Sequence, residues 1–228
     1  IRWFWDKKIF MDIFGYAGWS FLGKTSGTFA GQGVNMVINV CFGPAINAAR
    51  QLSSTVNHAV VIFVNNFTMA INPQVTQSYA AGDLRYLKDL IYRGTKFSYF
   101  IMWMIFLPLF LETDFVVGLW LGEYPEYTVI FTQVTMICVL LGIFTSIWTM
   151  GIQATGKIVW FQLSYSALEF LQFGITYVLL HHGFTPEWAY FASLFIAVMK
   201  VLTMWILSHY QLGASILEFL KVVVFRLC

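Results

Sequence analysis

Most of the positive charge in this chain lies in alternate gaps between long apolar stretches. The basic gaps contain Arg2, Lys7 and Lys8, then Arg85, Lys88, Arg93 and Lys96, then Lys157, and finally Lys221 and Arg226. The intervening gaps lack Lys and Arg, and the longest of them carries Glu112, Asp114, Glu123 and Glu126. Because helical membrane proteins keep Lys and Arg in their cytoplasmic loops, this alternation predicts an all-α, polytopic transmembrane bundle of six spans with both ends in the cytoplasm.

The composition agrees with a membrane protein and excludes an ordinary soluble domain. The mean hydropathy is +0.71, and 11% of the residues are charged, whereas about 25% is usual in soluble domains. The net charge of +2 gives no reason to expect a nucleic-acid partner. The 3 cysteines are too few and too far apart to predict a disulfide framework or a metal site, and no cofactor is expected.

The apolar stretches divide the chain into three parts. The predicted spans are 12–40, 44–80, 97–111 with an amphipathic lead-in from 84, 128–150, 158–180 and 187–209. We therefore expect a cytoplasmic lead-in at 1–11, a six-helix bundle at 12–210, and a tail or a further helix at 211–228. Pro44 is expected to begin the second helix, Gly82 to end it in a left-handed conformation, and Asp83 to cap the third. The first residue is not Met and the last residues open a new apolar run, so we expect a piece of a longer protein.

The first two spans carry polar side chains in rows. At 100° per residue, the first row falls within a sector of about 80° and contains Lys24, Thr28, Gln32, Asn35 and Asn39. The second row contains Asn47, Gln51, Ser54, His58, Asn65 and Asn72, with Arg50, Asn57 and Thr68 on its flank. Unpaired amides are costly in hydrocarbon, so the rows must face protein or water. Hydrogen bonding between packed helices is one interpretation; a hydrated cavity is the other, and two rows that each include a basic residue favour it.

Further ionisable side chains lie deep in the predicted spans. Lys24 is near mid-membrane, where a lysine costs about 2.5–3.5 kcal/mol on insertion scales, and such residues are usually functional. His58, Glu169 and Lys200 are candidates for ion coupling. Glu169 and Lys200 could instead form a structural pair between neighbouring antiparallel helices, and His58 could be a packing residue. No catalytic motif is visible, so an enzyme is not expected.

Three segments resemble the bacterial polysaccharide flippases of the multidrug/oligosaccharidyl-lipid/polysaccharide exporter superfamily. The first, at 31–50, reads GQGVNMVINVCFGPAINAAR and looks like the seventh-to-eighth helix junction of those proteins; the others are 70–82, AINPQVTQSYAAG, and 151–157, GIQATGK. The resemblance implies the C-terminal lobe of a MATE-like transporter with two six-helix bundles, a known transporter plan. The partners would be the missing N-terminal bundle, membrane lipids and glycan polymerase or ligase machinery.

The resemblance also implies a function. Such proteins flip undecaprenyl-pyrophosphate-linked oligosaccharides across the bacterial inner membrane by alternating access, for O-antigen and other surface polysaccharides. Lys24 and Arg50 would attract the pyrophosphate, and polar side chains would bond the sugars. The substrate-binding candidates are Lys24, Gln32, Asn35, Asn39, Asn47, Arg50, Gln51, Asn57, His58 and Asn65. A drug/cation antiporter of the same superfamily is the alternative, disfavoured by the absence of carboxylates from both rows; a glycan-assembly enzyme and a scaffold subunit of an export complex are more distant.

Overall fold

The computed structural model describes residues 7–214, apart from the side chains of residues 8–9, 63–64 and 67. Within that range the chain is helical and contains no strand. The helices are α1 (Lys7–Phe42), α2 (Pro44–Ala80), α3 (Leu84–Leu111), α4 (Thr113–Leu121), α5 (Thr128–Ala154), α6 (Val159–His181) and α7 (Glu187–Leu212). The first part of the expected lead-in and most of the expected tail lie outside the described residues.

Four of the described helices, α3, α5, α6 and α7, are long and apolar enough to cross a membrane. This supports the prediction of a helical membrane protein. The expected six spans are not reached on this criterion, because α1 and α2 are not among the four. Both helices are long, at 36 and 37 residues, but their rows of amides and hydroxyls reduce their hydropathy.

The connections between helices follow the predicted turn chemistry. Gly43 has a φ of 82° and separates α1 from Pro44, the first residue of α2. Gly82 has a φ of 75°, and the Asp83 carboxylate accepts a hydrogen bond from the Tyr86 amide at 2.9 Å. These three predictions are confirmed, since a helix N-terminus leaves amides that a capping carboxylate satisfies.

One predicted boundary agrees with the structure and one was wrong. The lead-in from 84 and the span at 97–111 form one continuous helix, α3, which passes through Pro108. The acidic gap, expected to be a loop, contains α4. The Thr113 hydroxyl at its start donates to the Leu109 carbonyl at 2.7 Å, and Gly122 ends it with a φ of 71°. Four acidic residues in 112–126 obscured the apolar segment between them.

The helices pack in the order α1, α6, α7, α5 and α2, with α3 against both α2 and α5. Close approach of α1 to α6 depends on glycines: a Cβ on Gly23 would overlap the Gln162 amide, and one on Gly33 would lie 2.7 Å from the Phe173 ring. In contrast, α1 and α2 contact each other less than α1 contacts α6 or α2 contacts α5. The faces of α5, α6 and α7 that lie between α1 and α2 are therefore not covered by close packing of α1 against α2.

Apolar clusters close the two ends of the bundle. Around the ends of α2, α5 and α7, Ile91, Ile147 and Ile152 are completely buried. At the opposite end, Ile38 and Phe131 are completely buried where α1 ends and α5 begins. A third apolar cluster, which includes Met102 and Met136, packs between α2, α3 and α5 in the middle of the bundle.

Candidate functional site

Three adjoining cavities, of about 300, 410 and 350 Å³, line the middle of the bundle. All three border Cys138 on α5, and we call their combined surface the central groove. The first lies between α2, α5 and α7, the second between α5, α6 and α7, and the third between α2 and α5. The polar and ionisable side chains of the groove are Arg50, Ser53, Ser54, Asn57, His58, Asn65, Thr135, Cys138, Thr145, Ser146, Tyr165, Glu169, Gln172, Tyr190, Ser193 and Lys200.

Arg50 is positioned by an aromatic side chain of α7. Its guanidinium carbon lies 6.0 Å from the centroid of the Tyr190 ring, at the edge of the range in which a cation is attracted to a ring face. Tyr190 itself stacks on Phe131 with the ring centroids 4.0 Å apart. Within residues 7–214 no carboxylate forms an ion pair with Arg50. Arg50 is half-buried, and its guanidinium lies beside the Tyr190 ring with no carboxylate partner among the described residues, so it is available to an anion.

Asn57 adds hydrogen-bonding groups to the same cavity. It is only 3% exposed, and its Nδ2 donates to the Ser53 carbonyl at 2.8 Å. In the described part of the chain, the buried Oδ1 of Asn57 and hydroxyl of Ser53 find no hydrogen-bond partner. Because a buried polar atom without a partner is costly, these atoms favour a ligand or water in the cavity.

Glu169 and Lys200 form the pair that the sequence analysis considered. Lys200 Nζ lies 2.5 Å from Glu169 Oε1, and the two side chains are 24% and 22% exposed, respectively. The Tyr165 hydroxyl donates to the Lys200 carbonyl at 3.2 Å. The pair borders the second cavity, so it is accessible from the groove as well as packed between two helices.

Half of the second polar row faces the groove, namely Ser54, His58 and Asn65, whereas Asn72 lines none of the three cavities. Arg50, Asn57 and His58 line the first cavity and Asn65 lines the third. Asn47 and Gln51 of this row line none of the three cavities. Asn47 is half-buried and Gln51 is exposed.

The first polar row does not line the groove. Lys24, Gln32 and Asn39 are exposed on α1, and Asn35 is half-buried with its Nδ2 donating to Gln32 Oε1 at 3.2 Å. The helix buries a different face, with Ala30, Val34 and Ile38 at most 1% exposed. Within the described chain the α1 row therefore faces away from the groove, because Gly23 and Gly33 bring another side of α1 against α6. That both rows surround one cavity of a larger protein stays a prediction.

The more apolar helices contribute groove residues besides the predicted Glu169 and Lys200. Tyr165, Glu169 and Gln172 share one face of α6, and Ser193 lies on α7 between Tyr190 and Lys200. Gln172 Nε2 donates to the Ser193 hydroxyl at 2.8 Å. The spacing i, i+4, i+7 on α6 is a helical signal that could have been found. Glu169 gives the groove a carboxylate, although neither polar row contains one.

Comparison with known proteins gives no relative for this chain: no protein-family model matches it, and neither a curated protein nor a solved structure does.

Proposed function

We propose that this chain is one six-span lobe of a MATE-like flippase for undecaprenyl-pyrophosphate-linked oligosaccharides in the bacterial inner membrane. The observation that carries the proposal is Arg50, oriented and without a carboxylate partner in the described chain, in an amide-lined groove between apolar helices. In this proposal α1 and α2 also cross the membrane. At 1.5 Å per residue they are about 54 Å long, which exceeds the bilayer's hydrocarbon core of about 30 Å.

The distribution of charge along the bundle supports this topology. Lys88 Nζ donates to the Gly213 carbonyl at 2.8 Å, and Gln211 Nε2 donates to the Lys157 carbonyl at 3.1 Å. These contacts join the starts of α3 and α6 to the end of α7. Two of the basic connections therefore lie at one end of the bundle, which the positive-inside rule assigns to the cytoplasm.

The chemistry of the groove suits a sugar pyrophosphate. A guanidinium binds phosphate oxygens with two parallel N–H donors. Asn57, His58, Asn65 and Ser54 offer both donors and acceptors to sugar hydroxyls. The polyprenyl chain would remain in the surrounding lipid, so the groove needs to hold only the polar headgroup.

Transport would proceed by alternating access, with this lobe rocking against a second bundle. The exposed polar row on α1 would then belong to the surface shared with that bundle, and Lys24 would contribute to the cavity only in the two-lobe protein. Membrane lipids and glycan polymerase or ligase machinery would be further partners. No covalent chemistry is required.

A drug/cation antiporter is the second candidate, and one observation favours it. Glu169 and Tyr165 border the groove, and a carboxylate beside an aromatic ring is suited to a cationic drug. However, Lys200 neutralises that carboxylate, whereas Arg50 has no such partner among the described residues. The balance of charge therefore favours an anionic substrate.

Surface glycan in a flippase-null strain that expresses the full-length protein tests the proposal. Wild type should restore the glycan, and Arg50→Gln should reduce it strongly at equal membrane abundance. Arg93→Gln is the matched control, since it removes an arginine from an exposed surface pair, and it should restore glycan as wild type does. If wild type restores no glycan in hosts with several sugar types but confers drug efflux, the antiporter is correct and the flippase proposal is wrong.

A further inference from the structure

We propose that Lys200 is a second anion-binding residue of the central groove, that Glu169 pairs with it until a substrate arrives, and that an incoming lipid pyrophosphate displaces Glu169 towards Lys24. This inference rests on the proposed function of the groove as a pyrophosphate site. To that site it adds Lys200 as a ligand, Glu169 as the counter-ion that competes for Lys200, and Lys24 as the alternative partner of Glu169.

The position of Lys200 makes it a separate contact from Arg50. Tyr190, which positions Arg50, and Lys200 are ten residues apart on α7, which corresponds to about 15 Å along the helix. Ser193 lies between them and borders both of their cavities, as does Cys138. Because the two cavities adjoin, a pyrophosphate could pass from the Arg50 position to the Lys200 position without leaving the groove.

The hydrogen bonding of Lys200 to Glu169 leaves Lys200 able to bind another anion. A lysine ammonium has three donors, and one of them is used by Glu169 Oε1 in the described chain. The pair also faces a cavity of about 410 Å³ rather than close-packed side chains. A phosphate oxygen could therefore approach Lys200 directly and compete with Glu169 for it.

A membrane lysine needs a counter-ion when no substrate is bound. An isolated charge in a span is expensive, and breaking a buried ion pair by removing one partner is strongly destabilising. Glu169 supplies that negative charge through its ion pair with Lys200. By the same reasoning, Glu169 needs a new partner once a more highly charged anion has taken Lys200.

Lys24 is the basic residue of α1 closest in sequence to the point where Glu169 meets that helix. A Cβ placed on Gly27 would lie 3.8 Å from Glu169 Oε1, and Lys24 is one helical turn before Gly27. Lys24 is exposed and forms no ion pair among the described residues. Exchange of Glu169 from Lys200 to Lys24 would keep every charge paired without requiring a proton.

The test is binding of undecaprenyl pyrophosphate to the full-length protein in phosphatidylcholine nanodiscs, with undecaprenol as the control for the lipid tail. Lys200→Gln should weaken binding about tenfold, because a hydrogen bond to a charged group is worth about one factor of ten or more. Glu169→Gln should strengthen binding by a similar factor, since it removes the competitor. If the Glu169–Lys200 pair is only structural, both variants should bind undecaprenyl pyrophosphate more weakly than wild type, or both should bind it as tightly as wild type.

The role of Lys24 is tested by a double-mutant cycle. Lys24→Gln should weaken pyrophosphate binding in the wild-type background and have no effect with Glu169→Gln, because no displaced carboxylate then needs a partner. Equal weakening in both backgrounds would overturn the exchange and make Lys24 a direct ligand.

A further variant covers the case in which Glu169→Gln does not fold. The double variant Glu169→Gln/Lys200→Gln leaves no unpaired charge, and it should bind pyrophosphate more weakly than wild type; equal affinity would overturn the proposal. If wild type does not distinguish the pyrophosphate from undecaprenol, the proposed function fails too. If wild type does and Arg50→Gln weakens binding, while the Glu169 and Lys200 variants have no effect, only the present inference fails.

Discussion

Replacing Gly33 with alanine should loosen the contact between α1 and α6. An added Cβ would lie 2.7 Å from two carbons of the Phe173 ring, well inside the normal contact distance of about 3.5–4.0 Å between carbons. An aromatic ring cannot bend away as the end of a long aliphatic chain can. Either Phe173 leaves its rotamer or the two helices separate.

The expected cost follows from this overlap. Extra carbon in a packed site costs about 1–3 kcal/mol, while Gly→Ala in a helix interior returns about 0.8–1 kcal/mol. Gly31→Ala is the matched control, because a Cβ there meets no atom within 4 Å and should give only the helical gain. The two variants should therefore differ by about 1–3 kcal/mol in the free energy of unfolding.

Thermal unfolding of each variant in the same detergent is the assay. For a chain of this size, 1 kcal/mol corresponds to about 2–4 °C in Tm, so Gly33→Ala should melt several degrees below Gly31→Ala. Adding Phe173→Leu to Gly33→Ala should recover part of the loss by making room. If Gly33→Ala is as stable as Gly31→Ala, the contact of Gly33 with Phe173 does not determine how closely α1 packs against α6, and the reasoning is refuted.

The other predictions concern the groove and the α4–α5 connection. Arg50→Lys should retain more transport than Arg50→Gln but less than wild type, since lysine keeps the charge and loses the planar fork; equal activity of all three would exclude a charge contact. In a variant whose other cysteines are serine, undecaprenyl pyrophosphate at about ten times its Kd should slow modification of Cys138 by a small maleimide about tenfold; unchanged modification would place the ligand elsewhere. The hydrogen bond and negative charge of Asp114 raise the pKa of Tyr124, so its ionisation, followed by NMR, should move to lower pH in Asp114→Asn. Since the folded-state pKa is raised, this interaction contributes fully below the ordinary tyrosine value and is lost as the pH rises through the folded-state value; no shift in Asp114→Asn would refute the contact.

Local chemistry in the sequence predicted the helix ends well. Pro44, Gly82 and Asp83 are where the residue type predicts them, because each acts on its own turn of backbone. The long apolar runs likewise predicted α5, α6 and α7 to within a few residues. Longer-range context was needed for α4, whose apolar segment is flanked by acidic residues and resembles a loop when read alone.

The sequence likewise predicted only part of the candidate site. The periodicity of α2 was sufficient to place Arg50, Asn57, His58 and Asn65 on one side of that helix. It could not show which residues of α5, α6 and α7 lie opposite, because the sequence of α2 contains no information on the rotation of its neighbours. Tyr190, for this reason, was not a candidate before the structure placed it beside the Arg50 guanidinium.

The sequence by itself thus determined that this is an all-helical membrane protein, where most helices begin and end, and that α2 has a polar face. These properties depend on each residue's own backbone preference and hydropathy. Only the tertiary structure decided that the α2 row borders a groove while the α1 row does not, and that Glu169 meets Lys200 inside it. Those outcomes depend on how far each helix is rotated about its axis, which is set by contacts such as Gly33 against Phe173 between residues far apart in the chain.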